Sequence, residues 1–225
     1  MESVSMFIMI MFILTTIATL WLFYVASHEN KKVVLSILIW AAFVGVLGVL
    51  GFYKVVDAIP PRFVFLLGPV TLFVLLLFMT KKGRRFIDSL DLKWLTLLHV
   101  VRLPVEVVLH AIFLSGLIPV YMTYEGYNFD IISGITAPLV YYLVFVKNVL
   151  GNRFLLFWNF VCLALLLNIL TIAVLSAQTP FQQLAFEQPN VGVTYFPFVW
   201  LPTVIVPIVL LSQLASIRML LLSKN

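Results

Sequence analysis

Four ionisable side chains recur along one apolar stretch, residues 94–118: His99, Arg102, Glu106 and His110. At 100° per helical residue they fall within an arc of about 80°, so they share one face of a helix. This polar stripe is about 16 Å tall at the helical rise of 1.5 Å per residue. Side chains of these types at this spacing could relay a proton, hold an ion or perform acid–base catalysis.

Neighbours within the polar stripe are spaced to interact. Arg102 and Glu106 are four residues apart, as are Glu106 and His110, so each pair can meet on the helix surface. Two interpretations remain open. Arg102 and Glu106 form a buried, neutralising ion pair with a structural role, or Glu106 and His110 share a proton near the middle of the membrane. A charge at the centre of a membrane helix costs about 2.5–3.5 kcal/mol on insertion scales, so we expect the stripe to face the bundle interior. Pro104, on the opposite side, predicts an interrupted helix.

Three acidic residues lie in segments that contain no lysine or arginine. Glu125 and Asp130 fall in residues 119–130, and Glu187 falls in residues 178–196. An acidic outer rim of this kind would attract cations or amines, although a solvated loop is the simpler interpretation. Asp130 could instead cap the start of the next helix.

The composition limits the class of protein. Of 225 residues, 63% are hydrophobic and 10% are charged, whereas soluble domains are about 45–50% apolar and about 25% charged. This excludes an ordinary water-soluble globule. Cys162 is the single cysteine, which excludes an intramolecular disulfide and a cysteine-cluster metal site.

Long apolar runs dominate the chain, and each approaches the roughly 20 residues that a membrane-spanning helix needs. They predict an all-α fold: a polytopic membrane helical bundle with seven transmembrane helices in one integral membrane domain, residues 1–225. The predicted spans are residues 5–27, 33–53, 63–80, 94–118, 131–147, 154–177 and 197–221.

The basic residues predict the orientation of this bundle. Eleven lysines and arginines fall in the segments on one side of the predicted spans, whereas the other side holds only Lys54 and Arg62. The positive-inside rule then places the N-terminus outside and the C-terminus inside. This topology accounts for the net charge of +5, so a nucleic-acid partner is not needed to explain it. The predicted partner is the lipid bilayer.

Several familiar site motifs are absent from the sequence. It has no phosphate-binding GxxxxGK[ST] loop, no HExxH zinc motif and no GxSxG elbow. The last predicted span has no lysine for a retinal Schiff base, and both intramembrane histidines lie on one span, which disfavours a bis-histidine haem. Glu106 and His110 with a loop acid form a poor metal-ligand set. The sequence predicts no metal site and identifies no cofactor.

Two stretches resemble known sequences. Arg102 to Pro138, centred on the run MTYEGYNFD at residues 122–130, is one of them. The other is FEQPN at residues 186–190 followed by YFPFVWLP at residues 195–202. Both resemble uncharacterised multi-spanning bacterial inner-membrane proteins. The resemblance implies a location in the bacterial inner membrane and brings no activity with it.

Three functions remain open from the sequence. The first is a small channel or ion- or proton-coupled carrier, with Glu106 and His110 as the proton site and the acidic rim as the entrance. The second is an intramembrane enzyme on a lipid-like substrate, with Glu106 as general base and His110 as acid or metal ligand. The third is a non-catalytic subunit of a membrane complex. The height of the stripe favours a relay of protons or small cations.

Overall fold

The computed structural model describes residues 4–223, and this part of the chain is all-α. Seven helices form at the seven predicted apolar stretches, which confirms those elements, and a short amphipathic helix forms in the polar segment after the third. We number the eight as α1 Met6–Ala26, α2 Lys31–Val49, α3 Val64–Met79, α4 Lys81–Asp88, α5 Leu92–Leu114, α6 Ile131–Val146, α7 Asn152–Leu175 and α8 Leu201–Leu222.

The helices fit a membrane protein by length and composition. Within the described residues, α1, α2, α5, α7 and α8 are each long and apolar enough to cross a membrane. Helix α3 turns by 91° into α4, and this bent pair counts as a sixth candidate span if it is taken as one. Helix α6 is apolar but shorter.

One end of the bundle gathers the basic segments, and we call it the basic end (residues 27–30, 80–91, 147–151 and 218–223). There the amide of Asp91 donates to the carbonyl of Ala26 at 2.9 Å. Arg218 of α8 binds Asp88 of α4 through Nε at 2.7 Å and Nη2 at 3.0 Å. The hydrogen bond from Arg218 holds the pKa of Asp88 below its usual value. These contacts bring the ends of α1, α4 and α8 together.

The opposite end joins the remaining connections. The amide of Gly192 donates to the carbonyl of Leu117 at 2.7 Å, and Asn168 Nδ2 donates to the carbonyl of Tyr127 at 2.8 Å. The segment before α8 therefore packs on the end of α5, and the end of α7 packs on the segment before α6. Successive long helices consequently run in alternating directions between the two ends.

Helices α5 and α8 form the centre of the bundle. In an apolar 18-residue stretch of each helix, half of the residues of α5 and 67% of those of α8 are buried inside the protein, against 22% for α2. On α5, Leu95, Leu98 and Ile112 are fully buried. This central position buries His99, Arg102 and Glu106 of the polar stripe among other helices, whereas His110 is partly exposed.

Gly134 permits the close crossing of α6 and α5. A Cβ atom at this position would lie 2.6 Å from the amide nitrogen of Leu103. We therefore expect Gly134→Ala to lower the free energy of unfolding by about 1–3 kcal/mol, the usual cost of overpacking. Thermal unfolding in detergent micelles, followed by tryptophan fluorescence, measures this difference.

Gly68 in α3 provides the matched control. A Cβ atom there would meet only Val64 Cγ1 of the same helix, at 3.6 Å. Because alanine favours a helix over glycine, Gly68→Ala should leave the unfolding temperature unchanged or raise it. Equal unfolding temperatures for the two variants would contradict the packing role assigned to Gly134.

Candidate functional site

Helix α5 carries the polar stripe across an irregular turn. The backbone is α-helical up to Leu98, forms a 3₁₀ turn at His99–Val101 and returns to α-helix at Arg102. Pro104 has no amide hydrogen to donate to the carbonyl of Val100, which explains an interruption at this point. The irregularity predicted from Pro104 is thus present, immediately before Arg102.

Arg102 joins three other parts of the bundle. Its Nη1 donates to Asp130 Oδ1 at 2.6 Å and to the carbonyl of Cys162 at 3.2 Å. Its Nη2 donates to Gln213 Oε1 at 3.0 Å. Only 3% of Arg102 is exposed, so its charge is neutralised inside the protein by Asp130. The side chain connects α5 to the start of α6, to α7 and to α8.

Amide side chains extend this network. Gln213 Nε2 donates to Asn159 Oδ1 at 3.0 Å and to the carbonyl of Asn159 at 2.7 Å. Asn159 Nδ2 donates to the carbonyl of Leu155 at 2.8 Å. We call Arg102, Asp130, Asn159 and Gln213 the Arg102 cluster. All four are buried, and their hydrogen bonds satisfy polar groups that lipid could not.

Glu106 has a different partner from the one that its spacing predicts. Its Oε1 accepts from Asn128 Nδ2 at 2.6 Å, while Oε2 is buried without a hydrogen-bond partner. Asn128 also donates to the carbonyl of Met122 at 3.0 Å, and its own Oδ1 accepts from the amide of Asp130 at 3.1 Å. Only 2% of Glu106 is exposed.

The prediction that Arg102 and Glu106 form an ion pair is therefore wrong. The guanidinium binds the carboxylate of Asp130 instead, because the segment before α6 folds back onto α5 and brings that carboxylate beside Nη1. Glu106 is left with one neutral amide donor. Among the described residues, Glu106 is the buried acid of this site that has no cationic partner.

His110 lies at the outer boundary of the site. Its Nε2 is 3.0 Å from Glu125 Oε1, although the geometry is not that of a hydrogen bond. The imidazole stacks on Tyr124, with ring centres 4.8 Å apart. One fifth of the His110 side chain and half of that of Glu125 are exposed. The histidine therefore contacts a surface carboxylate, which differs from the predicted proton-sharing pair with Glu106 near mid-membrane.

His99 stands apart from the other stripe residues. It is fully buried, and neither ring nitrogen has a hydrogen-bond partner. Its ring meets the edge of Trp158 on α7, with ring centres 5.6 Å apart. The structure thus brings Arg102 and Glu106 into one hydrogen-bonded region and leaves His99 in an aromatic contact.

The predicted acidic rim is also revised. Glu125 and Glu187 are exposed, but Asp130 is buried and bound to Arg102. Asp130 occupies the N-cap position of α6, yet its side chain accepts no bond from the helix backbone. The three acids therefore do not form one surface, because Arg102 from a neighbouring helix supplies Asp130 with the cation that the loops lack.

Sequence reasoning did not place Asn128 or Gln213 in the site. Asn128 has the appearance of a turn residue, and its bond to the amide of Asp130 is indeed local. From the sequence, Gln213 is one of several polar residues of the last span that can hydrogen-bond between helices. A long amide in an otherwise apolar stretch of α8 was the available indication, because a polar side chain there must find a buried partner.

No metal centre is indicated by the described residues. Within residues 4–223, no group of three or more histidine, cysteine, aspartate or glutamate side chains could hold a metal ion. The arrangement offers the buried carboxyl of Glu106 beside an amide and, one helical turn away, the partly exposed imidazole of His110. Both groups can bind and release a proton.

Comparison with known proteins gives one match. The family model described as Domain of unknown function (DUF8737) matches residues 60–221. This region runs from just before α3 almost to the end of α8, and it includes every residue of the polar stripe. No curated protein and no solved structure matches the chain.

Proposed function

The chain belongs to the DUF8737 family, whose function is unknown, and from its buried site we propose that it is a small channel or carrier that moves protons across a membrane. One observation carries the proposal. Glu106 is buried in a central helix with an unpartnered carboxyl oxygen, while the adjacent arginine is bound to Asp130. Glu106 can gain or lose a proton without breaking an ion pair. Intramembrane ionisable residues are by default candidates for such roles.

His110 and Glu125 are the ionisable groups that a proton path from Glu106 to the outer surface would use. Glu125 is exposed and lies 3.0 Å from His110 Nε2. His110 is one helical turn from Glu106, a rise of about 6 Å. We propose that protons pass from Glu125 through His110 to Glu106, with water bridging the last gap. Asn128 holds the Glu106 carboxyl in place at the end of this path.

We further propose that all seven apolar helices cross the bilayer, with the N-terminus outside and the C-terminus in the cytoplasm of a bacterium. The alternating helix directions and the concentration of lysine and arginine at the basic end support this topology. Helices α3 and α6 are short, and local thinning of the bilayer accommodates short spans at modest cost.

The Arg102 cluster supports a second candidate function. Its charges and amides are satisfied by one another across four helices, as expected of a purely structural element. A non-catalytic subunit of a membrane complex would need nothing more. An enzyme acting on lipid has no such support. The bundle has an apolar cavity of about 600 Å³ between α1, α2, α3, α4 and α8, and no polar-stripe residue lines it.

Reconstituted vesicles test the proposed function. Purified protein in liposomes loaded with a pH-sensitive dye should acidify or alkalinise the lumen when a potassium diffusion potential is imposed with valinomycin. We expect a rate well above that of protein-free vesicles and dependent on the external pH. A rate equal to that of protein-free vesicles would overturn the proton function and leave the structural subunit as the better reading.

A further inference from the structure

A large apolar cavity lies apart from the polar stripe. It has a volume of about 600 Å³ and is enclosed by α1, α2, α3, α4 and α8. This volume lies within the range of about 300–1,000 Å³ that is typical of small-molecule sites. The cavity is lined by sixteen residues, of which all but Ser36 and Thr203 are apolar, aromatic or proline.

The polar groups of this lining are already engaged. The hydroxyl of Ser36 donates to the carbonyl of Lys32 at 2.9 Å, and that of Thr203 donates to the carbonyl of Val199 at 2.6 Å. The indole nitrogen of Trp40 donates to the carbonyl of Thr203 at 3.1 Å. The cavity wall therefore offers no free donor to a polar occupant. It suits a hydrocarbon chain.

The cavity opens on the outside of the bundle, between α2 and α3. Ser36 of α2 and Pro69 of α3 are exposed, and Phe73 of α3 is 59% exposed. In the topology proposed above, this face meets the acyl chains of the bilayer. A lipid chain could enter sideways without crossing a polar barrier.

Basic residues lie next in sequence to the cavity lining at the basic end of the bundle. Phe86 and Val33 line the cavity at that end, and each directly follows an exposed cation, Arg85 and Lys32. Helix α4 lies across the end of the bundle because the chain bends by 91° after α3. Its remaining cations are Lys81, Lys82 and Arg84.

These cations have no ion-pair partner in the part of the chain that the structure describes. Within residues 4–223, none of the basic residues of α4 forms an ion pair, and the acid of that helix, Asp88, is bound to Arg218. An apolar cavity with an uncompensated basic mouth is complementary to a lipid that has a negative headgroup.

From this arrangement we infer that the cavity binds an anionic phospholipid, with an acyl chain between α2 and α3 and the headgroup phosphate beside Lys32 and Arg85. The inference rests on the proposed membrane topology and not on the proton path. A failed proton assay would leave it standing, and a failed lipid assay would leave the proton path standing.

Native mass spectrometry tests this inference. Full-length protein in detergent is incubated with equimolar dioleoyl phosphatidylglycerol and dioleoyl phosphatidylcholine, which differ in charge but share their acyl chains. We expect one retained lipid, with phosphatidylglycerol preferred. Each basic residue near a membrane surface favours anionic lipid by about fivefold, so the double variant Lys32→Gln, Arg85→Gln should reduce the preference about 25-fold.

A matched pair of substitutions controls for overall charge. Lys147 and Arg153 are exposed cations at or next to the basic end. Unlike Lys32 and Arg85, neither directly adjoins a residue that lines the cavity, so Lys147→Gln, Arg153→Gln should keep the preference. A third variant, Val70→Trp, fills the cavity and should abolish retention of both lipids. No retained lipid, equal retention of the two lipids by the wild type, or equal losses in the two charge pairs would overturn the inference. Undiminished retention by a folded Val70→Trp variant would overturn it too.

Discussion

Replacing Arg102 by methionine is expected to lower the free energy of unfolding by about 3–5 kcal/mol, the usual cost of breaking a buried ion pair from one side. The substitution keeps a side chain of similar length but leaves the Asp130 carboxylate buried without a cation. It also removes the donors to Gln213 and to the carbonyl of Cys162. Equilibrium unfolding in mixed micelles, followed by tryptophan fluorescence, measures the loss.

A double-mutant cycle distinguishes the ion pair from loss of packing. Asp130→Asn alone leaves the guanidinium buried with neutral acceptors, and the double variant Arg102→Met, Asp130→Asn removes both charges. We expect the double variant to be more stable than the sum of the single losses predicts, with a coupling of about 1–3 kcal/mol. Arg153→Met, at an exposed position, is the control and should stay within about 0.5 kcal/mol of the wild type. If Arg102→Met changed the free energy of unfolding as little as Arg153→Met does, the stabilising role assigned to the Arg102–Asp130 pair would be contradicted.

The helices were predictable because their main determinant is local. Continuous apolar runs of the length of a membrane span give few alternatives to a helix, and all seven runs became helices. Two ends were placed too far along the chain. Helix α2 stops at Val49 before Gly51, which has a φ of 72°, and α5 stops at Leu114 before Gly116, which has a φ of 76°. Glycine in the left-handed region commonly ends a helix.

The partners of the site residues were less predictable because they come from distant parts of the chain. Spacing on a helix correctly gathered Arg102 and Glu106 on the interior side, where both are buried. It also suggested that they pair, since no other partner is visible locally. The actual partners, Asp130 and Gln213, are 28 and 111 residues away from Arg102. Their approach depends on how the segment before α6 and helix α8 pack, which residue spacing does not encode.

Changing Glu106 to glutamine should reduce proton movement in the reconstituted vesicles to the leak of protein-free liposomes. Glutamine has nearly the same shape, and its amide oxygen can still accept from Asn128. It cannot bind and release a proton. A proton path that runs through this carboxyl would therefore be interrupted while the fold persists. The measurement is the initial rate of dye response at a fixed diffusion potential, with the amount of inserted protein determined in the same vesicles.

Glu187→Gln supplies the matched control, because it makes the same chemical change at an exposed residue of the opposite end. We expect its rate to equal that of the wild type. The Arg102→Met variant separates function from stability. If Arg102 has only a structural role, this variant should lower the unfolding temperature but leave the transport rate of the folded protein unchanged. Glu106→Gln that is folded, inserted and as fast as the wild type would exclude Glu106 from the path. Protons would then have to cross the wild-type protein by a route that avoids Glu106. Among the described residues, Glu106 is the buried acid of the site that has no cationic partner.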